Sequence, residues 1–206
     1  MLQIRWLSLL ALIGYGLPWV VNTGSALTLN AYDLAEWLSL HPAVRSGSMP
    51  LIATLALRVL PVLLVAIVVF DQNATLIERL AFPVFITLAL LPPLDFFRTG
   101  LNDSNFRQQF GLSLLTLIIG GISHIRWLHH RAITLQILIS LSAIGLSIFA
   151  LAQSLELMSG FALPVYLGLG GILFVVLMIV GLIKLCEATF FKSPRRLSLS
   201  TEVTKT

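Results

Sequence analysis

Charged side chains are scarce in this sequence. Only 11% of its 206 residues are Asp, Glu, Lys or Arg, and 57% are hydrophobic, whereas a soluble domain carries about 25% charged residues. So little charge excludes a globular domain with a fully solvated surface. The composition instead predicts an integral membrane protein.

Cysteine and catalytic motifs are also lacking. Cys186 is the only cysteine in the sequence, which excludes an internal disulfide framework. The sequence shows no nucleophile spaced with a base, no paired intramembrane carboxylates and no glycine-rich loop for nucleotide phosphates. Its basic residues form no stripe, so the electrostatic signature of nucleic-acid binding is missing. We therefore expect a protein that is not an enzyme and does not bind nucleic acid.

Long hydrophobic runs, in contrast, are abundant. A spanning helix needs roughly 20 mostly apolar residues, because the hydrocarbon layer is about 30 Å thick. An all-α bundle of six transmembrane helices is predicted, over residues 2–21, 51–70, 76–94, 109–128, 132–155 and 161–186. The third of these segments is the weakest candidate, because Pro83 would kink it and the pair Pro92–Pro93 would end it; it could instead be shorter, tilted or re-entrant. The first segment also resembles a signal peptide.

The placement of basic and aromatic residues predicts the topology. With six spans both termini share one side, and if that side is the cytoplasm most basic residues fall in inner segments, as the positive-inside rule requires. Trp6 and Trp127 then lie at inner boundaries, and Trp19 and Trp37 at outer ones, where an indole can donate its N–H. We expect a bacterial inner (plasma) membrane protein with cytoplasmic termini. It would have one transmembrane domain, 1–192, and a disordered polar tail, 193–206. Outer loops retain only Arg45, Arg98 and Arg107.

The longest polar interruption, residues 28–50, nevertheless has a helical pattern. Asn30 and Asp33 resemble a helix cap, and Pro42 closes the segment, so a short amphipathic helix is predicted between them. Asp33, Glu36 and Ser39 lie on its polar face. We expect this helix to lie flat on the outer membrane surface, either covering the bundle or docking a partner or substrate. Its apolar face consists of Ala31, Leu34, Trp37, Leu38 and His41.

Arg58 is the one charged residue that the pattern places well inside a span, about 12 Å from its outer edge. An arginine at such depth costs about 2.5–3.5 kcal/mol, so it is expected to face the bundle interior and to find an acceptor. Asp95 is the favoured partner and Glu156 the second choice. The pair would be a structural ion pair, or Arg58 would bind an anion, a lipid phosphate or a quinone-like carbonyl.

Histidines cluster in SHIRWLHHR, residues 123–131. No nearby carboxylate or cysteine completes a zinc set, and the spacing does not align three imidazoles on one helical face. We therefore predict no metal site and interpret the cluster as one that fixes topology. The alternative is that His124 supplies an axial ligand to a haem or to the magnesium of a chlorin, the one cofactor hypothesis that the sequence offers.

Small residues recur along one face of the fifth predicted span. Side chains of this size let another helix approach closely, and in lipid the van der Waals contact that results drives helix association. The stripe could pack within the chain or against a neighbouring subunit. Its members are Ser140, Ala143, Ser147, Ala150 and Ser154.

These observations favour a non-enzymatic accessory or scaffolding subunit that packs against a larger membrane complex, such as a respiratory or photosynthetic assembly. Its expected partners are membrane lipids and other membrane subunits. One alternative is a small transporter that uses Arg58 as an intramembrane anion-binding group, although ion pathways usually need several ionisable groups in series. Another is a lipid-, quinone- or pigment-binding membrane module.

Overall fold

The computed structural model describes residues 4–22, 27–46, 51–98, 102–122, 131–160 and 164–191. The polar tail predicted over 193–206 lies outside these residues. The described chain is mostly helical, as the sequence predicts. Its elements are α1 Ile4–Gly16, β1 Val20–Asn22, β2 Leu27–Leu29, α2 Ala31–Leu40, α3 Pro42–Arg45, α4 Ile52–Phe70, α5 Leu76–Leu90, α6 Leu94–Arg98, α7 Ser104–Ile122, α8 Ala132–Ser159, β3 Tyr166–Leu167 and α9 Leu169–Phe191.

Three of the helices are long and apolar enough to cross a membrane. They are α4, α8 and the part of α9 from Leu169 to Thr189. Helix α1 is apolar but has only 13 residues, and α5 has 15 and ends at Leu90, before Pro92–Pro93. Three helices of the described chain therefore have the length and composition of membrane spans, and the six predicted spans stay a prediction.

Helix α4 is the centre of the bundle. Almost all its side chains are buried, and it contacts α1, α2, α5, α7 and α8. A helix that is apolar on every side is expected to be enclosed by its neighbours. Its last turn also receives a side chain from α8: Gln136 Nε2 donates to the Ile67 carbonyl at 3.0 Å. This bond satisfies one of the carbonyls that the end of a helix leaves without a backbone donor.

Helices α1 and α9 run antiparallel in close contact. A Cβ added to Gly14 would lie 3.1 Å from the Phe174 backbone nitrogen, and one added to Gly181 would meet the Ile4 side chain at 2.7 Å. Glycine lets the two backbones approach because it has no Cβ. Ile4, at the start of α1, lies near Gly181, in the second half of α9, whereas Gly14, near the end of α1, lies near Phe174. The two helices therefore run in opposite directions.

Three short strands form a sheet at the end of the bundle where α1 stops. The order is β2-β1-β3, with antiparallel pairing of Val20 to Leu29 and of Val21 to Tyr166. Trp19 is fully buried beside this sheet, and its Nε1 donates to the Gly14 carbonyl at 3.0 Å. We call the end with the sheet and α2 the cap end.

Helix α2 begins and ends where the sequence predicts. The Oδ1 of Asn30 accepts a hydrogen bond from the Asp33 backbone N–H at 2.9 Å, which is the expected cap. The helix stops at Leu40, two residues before Pro42. Capping by asparagine satisfies one of the free N–H groups of the first turn, so the local sequence alone fixes the start of this helix.

The buried face of α2 differs in part from the predicted one. Leu34 and Leu38 are fully buried and the helix packs against α4, as an apolar face requires. Trp37 and His41 are only half-buried, and their rings lie 5.7 Å apart. Ser39 was expected on the polar face but is 5% exposed, so its predicted orientation is wrong. Compared with the predicted orientation, α2 is rotated about its axis so that its Ser39 side is buried.

Helices α5 and α7 form a pair at the side of the bundle. Thr87 Oγ1 donates to the Ser113 carbonyl at 3.3 Å, and Ser113 Oγ donates to the Thr87 carbonyl at 3.0 Å. A Cβ at Gly120 would lie only 2.9 Å from the Cβ of Pro83. Reciprocal hydroxyl–carbonyl bonds and a small residue at the crossing are typical of helices that associate in lipid.

The stripe of small residues on α8 is buried within the chain. All five of its side chains are 0% exposed, and α8 packs against both α4 and α9. The stripe therefore permits close packing inside the bundle and does not lie on a surface that a neighbouring subunit would meet. Its members are Ser140, Ala143, Ser147, Ala150 and Ser154.

Candidate functional site

Arg58 is completely buried and lies at the cap end of α4. Its Nη2 donates to Glu36 Oε1 at 2.6 Å, which forms an ion pair between α4 and α2. Its Nη1 donates to Asn105 Oδ1 at 2.6 Å and to Gln108 Oε1 at 3.2 Å. The expectation that this arginine faces the interior is confirmed, and two helices, α2 and α7, supply its acceptors.

The predicted partners of Arg58 are wrong. Asp95 is exposed at the start of α6, where its carboxylate lies 3.9 Å from Arg98. Glu156 is exposed near the end of α8 and accepts a hydrogen bond from Gln153 Nε2 at 3.3 Å. The physical reason is that α2 covers the cap end of α4. It places Glu36, an acidic residue of the polar segment that precedes α4, beside the guanidinium.

Glu36 was expected to point away from the bundle, and this prediction is also wrong. The roll of α2 places Glu36 at the edge of the buried face, where its side chain is 32% exposed. Besides the Arg58 bond, its Oε1 accepts a short hydrogen bond from Gln109 Nε2. One carboxylate oxygen therefore joins α2 to both α4 and α7.

The amides of α7 belong to the first turns of that helix. Asp103 caps it, because its Oδ1 accepts from the backbone N–H groups of Asn105 at 2.8 Å and Phe106 at 3.2 Å. Asn105, Gln108 and Gln109 are then spaced by three and four residues, which places them on one helical face. This spacing was a signal in the sequence, but Gln109 was interpreted as the start of an apolar run.

A buried ion pair is stable only when additional hydrogen bonds satisfy the remaining polar atoms. Here Asn105, Gln108 and Gln109 provide most of them, although no partner is present for Arg58 Nε among the residues that the structure describes. Nearby, partial burial raises the pKa of the Tyr32 hydroxyl above its ordinary value, and the Glu36 charge contributes to the same direction.

A cleft of about 540 Å³ opens beside this network. Volumes of this size suit small ligands. Glu36 lies on its lining, and Arg58 does not. The lining comprises Glu36, Ser39, Leu40, Val44, Arg45, Leu51 and residues 102–106.

A second ion pair lies at the opposite end of the bundle. Arg5 Nη1 donates to Glu78 Oε2 at 2.8 Å and to the Asn73 carbonyl at 2.7 Å. Glu78 also forms a capping box with Thr75 at the start of α5. This box was not predicted, although Thr-x-x-Glu before an apolar run is its usual signature in a sequence.

The histidine hypothesis is not tested, because His124 lies outside the described residues. Within the described ranges, no group of three His, Cys, Asp or Glu side chains could hold a metal ion.

Comparison with known proteins gave no match to any family model, curated protein or solved structure.

Proposed function

We propose that this chain is a non-enzymatic integral membrane protein that serves as an accessory or scaffolding subunit of a larger membrane complex, such as a respiratory or photosynthetic assembly. In this proposal it has six spans in a bacterial inner membrane, with cytoplasmic termini. Helix α2 lies at the outer surface and covers the cap end of the bundle.

The main support for this proposal is that the Arg58 guanidinium is bonded to side chains of the protein itself. A transport site needs a charged group that can exchange its chain partners for a ligand, whereas the Arg58 guanidinium is buried and bonded to Glu36, Asn105 and Gln108. This arrangement favours a structural ion pair that fixes α2 and α7 on α4. It weighs against the alternative of a small transporter that uses Arg58 to bind an anion.

The short helix α5 supports contact with another protein. Its 15 residues span about 22 Å, less than the roughly 30 Å of the hydrocarbon layer. A helix shorter than the bilayer thins the lipid, or associates with other helices, and each accommodation has a modest cost. Its outward side chains are apolar and well exposed: Ile77, Leu80, Val84, Phe85 and Leu88.

Photo-crosslinking in native membranes tests this proposal. A photoreactive residue at Phe85, on the exposed side of α5, is expected to give a discrete adduct with the same partner that co-migrates with the chain in mild detergent. Ile148 on α8, which is 54% exposed, is the matched control and is expected to contact lipid only. Migration as a free monomer, with no protein adduct at Phe85, would contradict an accessory role.

A further inference from the structure

The cleft at the cap end has a charge pattern that the ion pair of Arg58 does not explain. Two carboxylates and one guanidinium lie on its lining, from Glu36, Asp103 and Arg45. Glu36 uses only Oε1 for Arg58 and Gln109, and Asp103 uses only Oδ1 to cap α7. Among the described residues, no donor bonds the second oxygen of either carboxylate. Both oxygens are therefore available to a ligand.

Arg45 supplies the opposite charge. It ends α3, its side chain is exposed, and it forms no ion pair within the described part of the chain. Because Arg58 already neutralises Glu36, the cleft as a whole carries no excess of either sign. A ligand that is only an anion or only a cation would leave one side of this lining without a counter-charge.

The remaining lining is mixed. Leu40, Val44, Leu51 and Phe106 are apolar, and the other lining residues are polar. Small-molecule sites combine apolar side chains with polar groups of fixed position. The capped N-terminus of α7 and the ion pair of Glu36 hold the two carboxylates in place, which reduces the cost of ordering them on binding.

We propose that this cleft binds a zwitterion that carries a primary ammonium and an anionic group, with the ammonium at Glu36 and Asp103 and the anion at Arg45. Such a group occurs as the head group of phosphatidylethanolamine and as a free solute such as phosphoethanolamine. The site does not depend on the proposed partner of α5, because it lies on α2, α3 and α7.

The test uses the purified full-length protein in detergent, with two probes. Phosphoethanolamine is titrated by calorimetry, and retention of phosphatidylethanolamine against phosphatidylglycerol is measured by native mass spectrometry. Saturable binding of either ethanolamine compound supports the site. Retention of the lipid without binding of the solute assigns a lipid head group, whereas binding of the solute assigns a free zwitterion.

Two variants locate the binding. Asp103→Asn keeps a side chain that can cap α7 but removes the charge, and Arg45→Ala removes the guanidinium. Each is expected to weaken binding about tenfold, as loss of a charge pair in a partly desolvated site does. Asp33→Asn and Arg98→Ala are matched controls, because both residues are exposed and neither lines the cleft.

Three outcomes would overturn the proposal. They are no binding of either probe, equal retention of phosphatidylethanolamine and phosphatidylglycerol without binding of phosphoethanolamine, and equal losses in the cleft variants and their controls. Thermal unfolding of each variant shows whether it is folded. A cleft variant that does not fold is replaced by Asp103→Ser, which preserves the cap, or by Arg45→Gln.

Discussion

The buried guanidinium of Arg58 constrains how the helices pack at the cap end. Arg58 cannot reach water, so its charge must be satisfied by side chains that the fold brings to it. Among the residues that the structure describes, Glu36 is the only partner of Arg58 that carries an opposite charge; the others are amides and one backbone carbonyl. The position of α2 on the bundle is therefore coupled to the charge of one carboxylate.

Glu36→Gln is expected to destabilise the folded protein by about 3–5 kcal/mol, because it leaves the Arg58 charge buried without a counter-ion. Thermal unfolding in detergent measures the loss. Asp95→Asn and Glu156→Gln are the controls; both carboxylates are exposed, so each change should stay within about 0.5 kcal/mol. A loss with Asp95→Asn as large as that with Glu36→Gln would contradict the assigned partner.

The sequence reveals Arg58 but not its partner. A lone charge in an apolar run stands out, and the expense of burying it predicts that it faces inward. The partner depends on how far α2 rolls about its axis, which the periodicity of ten residues does not define. Glu36 lies at the edge of the apolar face, where a small rotation changes exposure to contact.

At the scale of elements, close approach between helices depends on particular small residues. Gly120 and Gly121 are adjacent on α7, but only Gly120 lies against Pro83 of α5. A Cβ at Gly121 would have no atom within 4 Å. The pair therefore separates the effect of helix contact from the effect of helix propensity.

Gly120→Ala is expected to destabilise the α5–α7 contact by about 1–3 kcal/mol, because the added methyl overpacks a tight crossing. Gly121→Ala, the control, should be neutral or slightly stabilising, since alanine favours helix over glycine. Thermal unfolding of both variants under one set of conditions measures the difference. Equal effects of the two changes would show that α7 does not pack on α5 through Gly120.

Elements with strong local signals are those that the sequence predicts best. The Asn30 cap marks the start of α2, and the stripe from Ser140 to Ser154 marks the buried face of α8. The sheet was not predicted, because strands of two or three residues have no measurable period. Its pairing of residues 20–21 with 166–167 is set by the contact of α1 with α9, which only the tertiary structure shows.

On the scale of the whole molecule, the two ends of the bundle differ. The cap end carries the sheet, α2 and the Arg58 network, and the opposite end carries the ion pair of Arg5 with Glu78. Composition and helix length indicate the membrane class, because three helices can cross a bilayer. The proposed orientation rests on the bias of basic residues, which acts during insertion and leaves no contact in the folded chain.

Labelling of single cysteines tests the orientation. In a Cys186→Ser background, Asp33→Cys is expected to react with a membrane-impermeant maleimide in intact cells, because Asp33 is exposed at the cap end. Gln72→Cys, in the exposed turn between α4 and α5, should react only after permeabilisation. The Cys186→Ser protein without a new cysteine is the control for background labelling.

The two positions must respond oppositely if the bundle spans the membrane, since α4 separates Asp33 from Gln72 along the chain. Labelling of Gln72→Cys alone in intact cells would keep the spanning bundle but invert it, placing the cleft in the cytoplasm. Labelling of both in intact cells would mean that α4 does not cross. The cap end has few basic residues, and the positive-inside rule predicts that such segments lie outside the cytoplasm. We therefore expect Asp33→Cys to be the variant that is labelled in intact cells.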